Sequence, residues 1–239
     1  MTLTDEIRTR RIEIRSDEYD MSLGELINLY RDGELDIHPE FQRFFRWTPE
    51  QKTRLIESIL LGIPIPSIFV SQREDGVWDV IDGLQRLSTI LQLVGILKDE
   101  NGQPLPQLVL TKTKYLPSLE GKRWEDEDNQ EYGIGTDNQL LIKRSKIHVS
   151  IVLRESSPTT KYELFQRLNT GGSQLSDQEV RNVILITENP QFYRWVKRLA
   201  ENQDFSNTIA ITDRAQLEQY DVELVVRFLV FRNKDEQSL

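Results

Sequence analysis

The chain contains no cysteine. That absence removes disulfides, thiol nucleophiles and every cysteine-ligated zinc or iron–sulfur site, and it fits a reducing cytosol. Histidine is nearly as scarce. His38 and His148 are the only two, and they lie far apart in unrelated contexts, which excludes a multi-histidine metal site and an HNH nuclease centre. No apolar run approaches the roughly 20 residues of a membrane-spanning helix. Met1–Arg15 is charged rather than apolar, so no secretory leader is expected there. H-E-x-x-H, G-x-S-x-G and P-loop signatures are missing as well. Net positive charge is also lacking: 30 Lys and Arg stand against 39 Asp and Glu, a formal charge of −9. A protein that binds nucleic acid by charge alone is usually basic, so any DNA contact must use a local patch. Two such runs exist, Arg8, Arg10, Arg11 and Arg15, and then Lys143, Arg144 and Lys146. Both are equally what an ordinary solvated face carries.

What remains is a chain of 239 residues, 38% hydrophobic, which suits one large domain or a domain with a helical extension. Ser22-Leu23-Gly24-Glu25 has the form of a capping box, followed by Leu23, Leu26, Ile27 and Tyr30 at helical spacing and by Gly33 as a stop. Ile37–Trp47 is expected to be loop or irregular strand. Thr48-Pro49-Glu50-Gln51 opens a second helix with Leu55, Ile56, Ile59 and Leu60 as its buried stripe, ended by Gly62 and Pro64. Ser67–Ser71 and Val77–Ile81 are expected strands around a Glu74-Asp75-Gly76 hairpin turn. A third helix is expected over Leu84–Leu97, with Leu84, Leu87, Leu91 and Val94 as its stripe. Gly102–Gln139 has the composition of a loop-rich insertion with one or two short strands, and Ile147–Leu153 that of a strand. Beyond Ser157 the pattern is helical: one helix from Pro158 to Asn169-Thr170-Gly171-Gly172, a capping box at Ser176–Glu179, a helix from Pro190 with Phe192, Trp195, Val196 and Leu199 as its apolar face, and a last helix over Leu217–Phe231. The expected organisation is therefore an α+β core over residues 1–156 with a small mixed sheet, and a helical part over 157–239.

Three segments can carry chemistry. In Val80-Ile81-Asp82-Gly83-Leu84-Gln85-Arg86-Leu87-Ser88-Thr89 a strand ends, a glycine turns the chain and a helix begins at once. Such a turn aims backbone N–H groups and the positive end of the helix dipole at one place. Gly83 lets a phosphate approach the backbone, and Arg86 in the first turn can clamp phosphate oxygens. Asp82 can hold a divalent cation or fix Arg86, with Ser88 and Thr89 as further polar groups. An ordinary turn with Asp82 as helix cap explains the same residues. Phe41-Gln42-Arg43-Phe44-Phe45-Arg46-Trp47 is dense in arginine and aromatics, fit either to stack a base beside a phosphate-binding guanidinium or to plug a core. Phe165-Gln166-Arg167-Leu168-Asn169-Thr170-Gly171-Gly172 ends a helix in two glycines. Arg167 and Asn169 there can reach a ligand, or the segment is a plain C-cap.

Taken together and in this order, the three segments resemble the DUF262 family, the domain of GmrSD-type modification-dependent restriction enzymes and related phage-defence proteins. Pro39-Glu40-Phe41-Gln42-Arg43 with Trp47 resembles its first motif. Asp82-Gly83-Leu84-Gln85-Arg86 resembles its D-G-Q-Q-R box. Phe165, Arg167, Asn169, Gly171 and Gly172 match its F-x-R-x-N-x-G-G segment. The resemblance covers roughly Ser22–Ile184. It implies a ParB/sulfiredoxin-like core in which Gly83–Arg86 binds nucleotide phosphates, NTP hydrolysis with magnesium, a separate HNH-type nuclease domain or subunit as partner, and a part in sensing modified DNA. The implied catalytic residues are Asp82, Gln85 and Arg86. The implied phosphate-binding set is Gln42, Arg43, Gly83, Arg86, Ser88, Arg167, Asn169, Gly171 and Gly172, with Asp82 as magnesium ligand. Leu84 departs from the box. It removes a polar contact to the nucleotide or its attacking water, which bears on hydrolysis more than on binding. It also stands at the position of the sulfiredoxin cysteine, which excludes sulfiredoxin chemistry. The nuclease half is absent, so the chain is not expected to cut DNA unaided. The alternative is a non-hydrolysing DNA- or partner-binding adaptor, or a ParB-like nucleotide clamp that dimerises on DNA.

Overall fold

The structure, a computed structural model, describes residues 2–5, 16–37, 47–99, 102–126, 128–153, 178, 181, 182, 185, 189–212, 215, 216 and 219–233. The chain divides into two compact units, Met1–Ser157 and Pro158–Leu239. The first unit is built on a five-stranded mixed sheet. Its strands are β1 (Ser16–Ser22), β2 (Leu35–Asp36), β3 (Ile68–Gln72), β4 (Trp78–Asp82) and β5 (Lys146–Val152), in the spatial order β1-β5-β3-β4-β2. β1 and β5 are antiparallel, β5 and β3 parallel, β3 and β4 antiparallel, and β4 and β2 parallel. Helices α1 (Leu23–Asp32), α2 (Pro49–Leu60), α3 (Leu84–Val94) and α4 (Thr136–Arg144) belong to the same unit.

Local chemistry explains most of these boundaries. Ser22 Oγ accepts from the Glu25 N–H at 3.1 Å and starts α1; left-handed Gly33 ends it. Thr48 and Gln51 form a reciprocal capping box ahead of α2, with Pro49 at its first position. The core joins both sheet and helices, through Ile56, Ile68, Leu87, Ile90, Leu93 and Val149 among others.

Elsewhere tertiary contacts override the sequence signals. The acidic segment Ser16–Ser22 has little strand character, yet full-length pairing with β5 makes it a strand. α4 lies where only irregular structure is expected. α3 stops at Val94, not Leu97, because Gly95 turns left-handed and returns its N–H to the last turn. In place of short strands, the insertion makes two isolated bridges, Lys98 with Pro104 and Arg123 with Gly133.

That insertion is nonetheless fixed. Leu108, Leu110, Leu119, Trp124 and Ile134 enter the core. On α2, the Thr53 hydroxyl oxygen accepts from the Thr111 N–H at 3.0 Å. The buried Glu57 carboxylate accepts from the N–H groups of Tyr115 and Leu116 at 3.1 and 3.0 Å.

In the second unit the described helices are α5 (Pro190–Ala200), α6 (Gln203–Thr208) and α7 (Tyr220–Asn233). Asn189 caps α5, its side chain accepting from the Phe192 N–H at 3.0 Å. Val196, Ala200, Val222 and Val225 form a small core, and Tyr193 is buried too. Phe192 and Trp195, expected on the buried face, are exposed with ring centroids 5.7 Å apart. The buried stripe passes through 193, 196 and 200, rotated from the expected one. The helix expected from Pro158 and the capping box at Ser176 lie outside the described residues.

Candidate functional site

The site starts at the end of β4. A shift in register between Phe69 and Val70 leaves Ile81 without an opposite residue, so Asp82 pairs with Phe69. Bulges of this kind re-aim the residue that follows. Gly83 then takes φ +100°, and α3 begins at the next residue. An added Cβ at Gly83 would come within 2.4 Å of Ile68 Cγ2. Backbone conformation and space therefore both demand glycine.

The N-cap residue of α3 is Gly83 itself, which has no side chain to cap the helix. Asp82 does not fold onto the helix start as a cap. Its carboxylate accepts instead from Arg86 Nη2 at 2.8 Å, with the guanidinium mostly buried and the carboxylate 43% exposed. The same Nη2 lies 3.4 Å from the place a Cβ would occupy on Gly83. The missing side chain thus lets the cation lie against the turn, at the positive end of the α3 dipole. The contact is that of a carboxylate that orients Arg86, and the exposed part of the Asp82 carboxylate remains open to a cation.

Gln85 reaches across to the start of α2. Its Oε1 accepts from the Trp47 N–H at 3.3 Å. Further along, Lys52 Nζ of α2 donates to Gln92 Oε1 of α3 at 2.9 Å. Burial pushes the Lys52 ammonium down from its usual pKa. Both links advance in the same direction along both helices. α2 and α3 therefore bring their N-termini, each a positive dipole end, to one edge of the first unit. α2 is satisfied by its own box at Thr48, whereas the N-cap residue of α3 is a glycine without a capping side chain.

Ser88 and Thr89 lie deeper. Thr89 Oγ1 donates to the Gln85 carbonyl at 2.7 Å. Ser88 is fully buried and its Oγ has no hydrogen-bond partner among the described residues. Gln42, Arg43, Arg167, Asn169, Gly171 and Gly172 lie outside the described residues, as does the Arg8–Arg15 run. Lys143 and Arg144 close α4 and Lys146 opens β5, with Lys143 Nζ 5.6 Å from the centre of the Trp124 ring. Among the described residues no group of three or more carboxylates and histidines is placed to hold a metal ion. Asp82 alone suits an ion that brings most of its ligands with it.

The sequence missed two contributors. The Trp47 backbone ties the first motif to the box, and the capping box directly after it signalled that a helix begins at that point. Ile68, which crowds Gly83, gives no local signal because its contact depends on strand register.

A family model for the N-terminal domain of the GmrSD restriction endonuclease matches residues 23–186, more than half of the chain. The chain belongs to the GmrSD N-terminal domain family. The match begins at the first residue of α1 and contains the box, Trp47 and the glycine-rich segment at Gly171-Gly172. No curated protein and no solved structure matches the chain. Among the described residues no helix is long and apolar enough to cross a membrane.

Proposed function

We propose that this GmrSD N-terminal domain binds nucleoside triphosphates at the Asp82–Arg86 box, hydrolyses them, and thereby regulates a separate HNH-type nuclease in a phage-defence system that restricts modified DNA in the cytoplasm. The observation that carries the reading is the convergence at Gly83. A helix N-terminus whose cap residue is glycine, a bare Cα and a guanidinium held by Asp82 all meet at one turn. That is the donor set a polyphosphate needs: backbone N–H groups, a dipole of the right sign and a fixed cation.

On this reading the first-turn amides and Gly83 cradle the phosphates, and Arg86 neutralises developing charge. Electrostatic preorganisation of that kind contributes several kcal/mol to phosphoryl transfer. Asp82 holds the guanidinium in place. Magnesium takes one or two carboxylates together with phosphate oxygens, so Asp82 would be its one protein ligand here, and the ion would neutralise phosphate charge. Gln42 or Gln85 positions the water, and Arg43, Ser88, Arg167, Asn169, Gly171 and Gly172 complete the pocket. The fold reading that accompanies this is ParB/sulfiredoxin-like.

Leu84 favours a second reading, in which the box binds nucleotide without turning it over and the domain acts as an adaptor or as a ParB-like clamp that dimerises on DNA. Phosphate release and binding across ATP, GTP, CTP and UTP with magnesium separate the two. Turnover by wild type that Arg86→Ala abolishes supports the NTPase. Saturable binding with no release supports the adaptor. Absence of binding at millimolar nucleotide rejects both.

A further inference from the structure

The insertion carries a feature that the box does not use. Between Glu100 and Glu120 there is no acidic residue, although the chain has 39. The middle of that stretch, Thr111-Lys112-Thr113-Lys114-Tyr115-Leu116, is held at both ends by α2. The Thr111 N–H and Oγ1 both donate to Thr53 Oγ1, at 3.0 and 3.2 Å. The Tyr115 and Leu116 N–H groups both donate to Glu57 Oε1. Thr113 Oγ1 closes the turn on the Leu116 carbonyl at 3.1 Å. Burying a carboxylate to fix two loop amides is costly unless hydrogen bonds compensate, so the loop conformation is strongly specified.

What the fixed loop presents is basic and aromatic. Lys112, Lys114 and Tyr115 are all exposed. Tyr115 is 66% exposed, the most exposed aromatic side chain among the described residues. Lys114 Nζ sits 5.4 Å from its ring centre, so ring and ammonium form one unit. A ring beside one ammonium, with a second exposed lysine in the same loop, on an otherwise acidic protein, complements a polymer that alternates π-faces with negative charge. A preordered tip also avoids the ordering cost that a mobile loop would incur on binding.

We infer that the Lys112–Tyr115 tip is a contact site for a single strand of nucleic acid, with a base stacked on Tyr115 and phosphates on Lys112 and Lys114. The site rests on residues separate from the box and does not depend on what the box binds.

The test is fluorescence anisotropy of a labelled short single-stranded DNA, titrated with the full chain and its variants at several salt concentrations. Wild type is expected to bind saturably. Tyr115→Ala is expected to weaken binding roughly ten-fold and Tyr115→Phe to retain it. Lys112→Ala with Lys114→Ala is expected to reduce the salt slope by about 1.4. Because the tip is exposed, all three variants should melt with wild type, which separates lost contact from lost fold. Absence of saturable binding by wild type overturns the inference. So does equal affinity of Tyr115→Ala, or an oligoglutamate peptide that binds in place of the DNA with the same dependence on Tyr115.

Discussion

Helix α2 borders two regions that treat polar groups in opposite ways. Along its side it meets the insertion, where Thr53 and Glu57 give their oxygens to specific backbone N–H groups and five apolar side chains reach the core. At its N-terminus it meets the box, where glycine stands at the N-cap of α3 in a left-handed conformation, and Arg86 is braced by a half-exposed carboxylate. The insertion has little regular structure yet its backbone is held to α2 by specific hydrogen bonds. The box has regular structure on both sides of a turn whose cap residue, Gly83, has no side chain to close it. Regularity and rigidity are therefore separate properties, and the open polar geometry marks the site better than irregularity does.

The largest effect should come from breaking the closed side. Glu57→Ala removes the acceptor of two part-buried amides and is expected to cost about 3 kcal/mol, read by urea denaturation. Nucleotide affinity of the folded fraction should not change. If affinity falls in step with stability, the two regions are not independent.

Gly83→Ala strikes the open side. The φ of +100° and the contact with Ile68 together are expected to cost about 2 kcal/mol. Here nucleotide binding should be lost in protein that still melts cooperatively. Retained binding would move the phosphate cradle away from this turn.

A smaller effect sharpens the comparison through pH. Burial raises the Glu57 carboxyl pKa, but hydrogen bonds from Thr113, Leu116 and Tyr115 outweigh it and hold it below its ordinary 4.5. A carboxyl with a depressed folded pKa stabilises fully above its unfolded value and loses that contribution as pH falls through the folded one. Thermal melts below pH 4.5 should therefore show a loss for wild type that Glu57→Gln lacks.

The smallest effect is expected at Ser88. Its buried hydroxyl has no partner among the described residues, so Ser88→Ala should leave stability unchanged or raise it by up to about 1 kcal/mol. Nucleotide affinity should fall in that variant if Ser88 belongs to the pocket; unchanged affinity would remove it from the phosphate-binding set.

The legible parts of the molecule are those with local causes. The Thr48 box, the Gly33 stop and the Asp82–Gly83 turn into α3 follow from residue types within a few positions of each other. β1 was not legible, because its residues Asp17, Glu18 and Asp20 disfavour strand and only pairing with β5 decides the matter. α4 was hidden by the acidic and glycine-bearing chain before it. In the site, the pairing of Arg86 with Asp82 was foreseeable from their spacing of four. The link from Gln85 to Trp47 joins residues 38 apart, and nothing local announces it.

The most direct test of the nucleotide site is a nuclear magnetic resonance titration of the amide-labelled chain with the triphosphate that binds best. Shifts concentrated on the Leu84, Gln85 and Arg86 amides, with those of Tyr115 and Leu116 unmoved, are the predicted result. Saturable binding that leaves the first-turn amides of α3 unshifted would contradict the phosphate cradle.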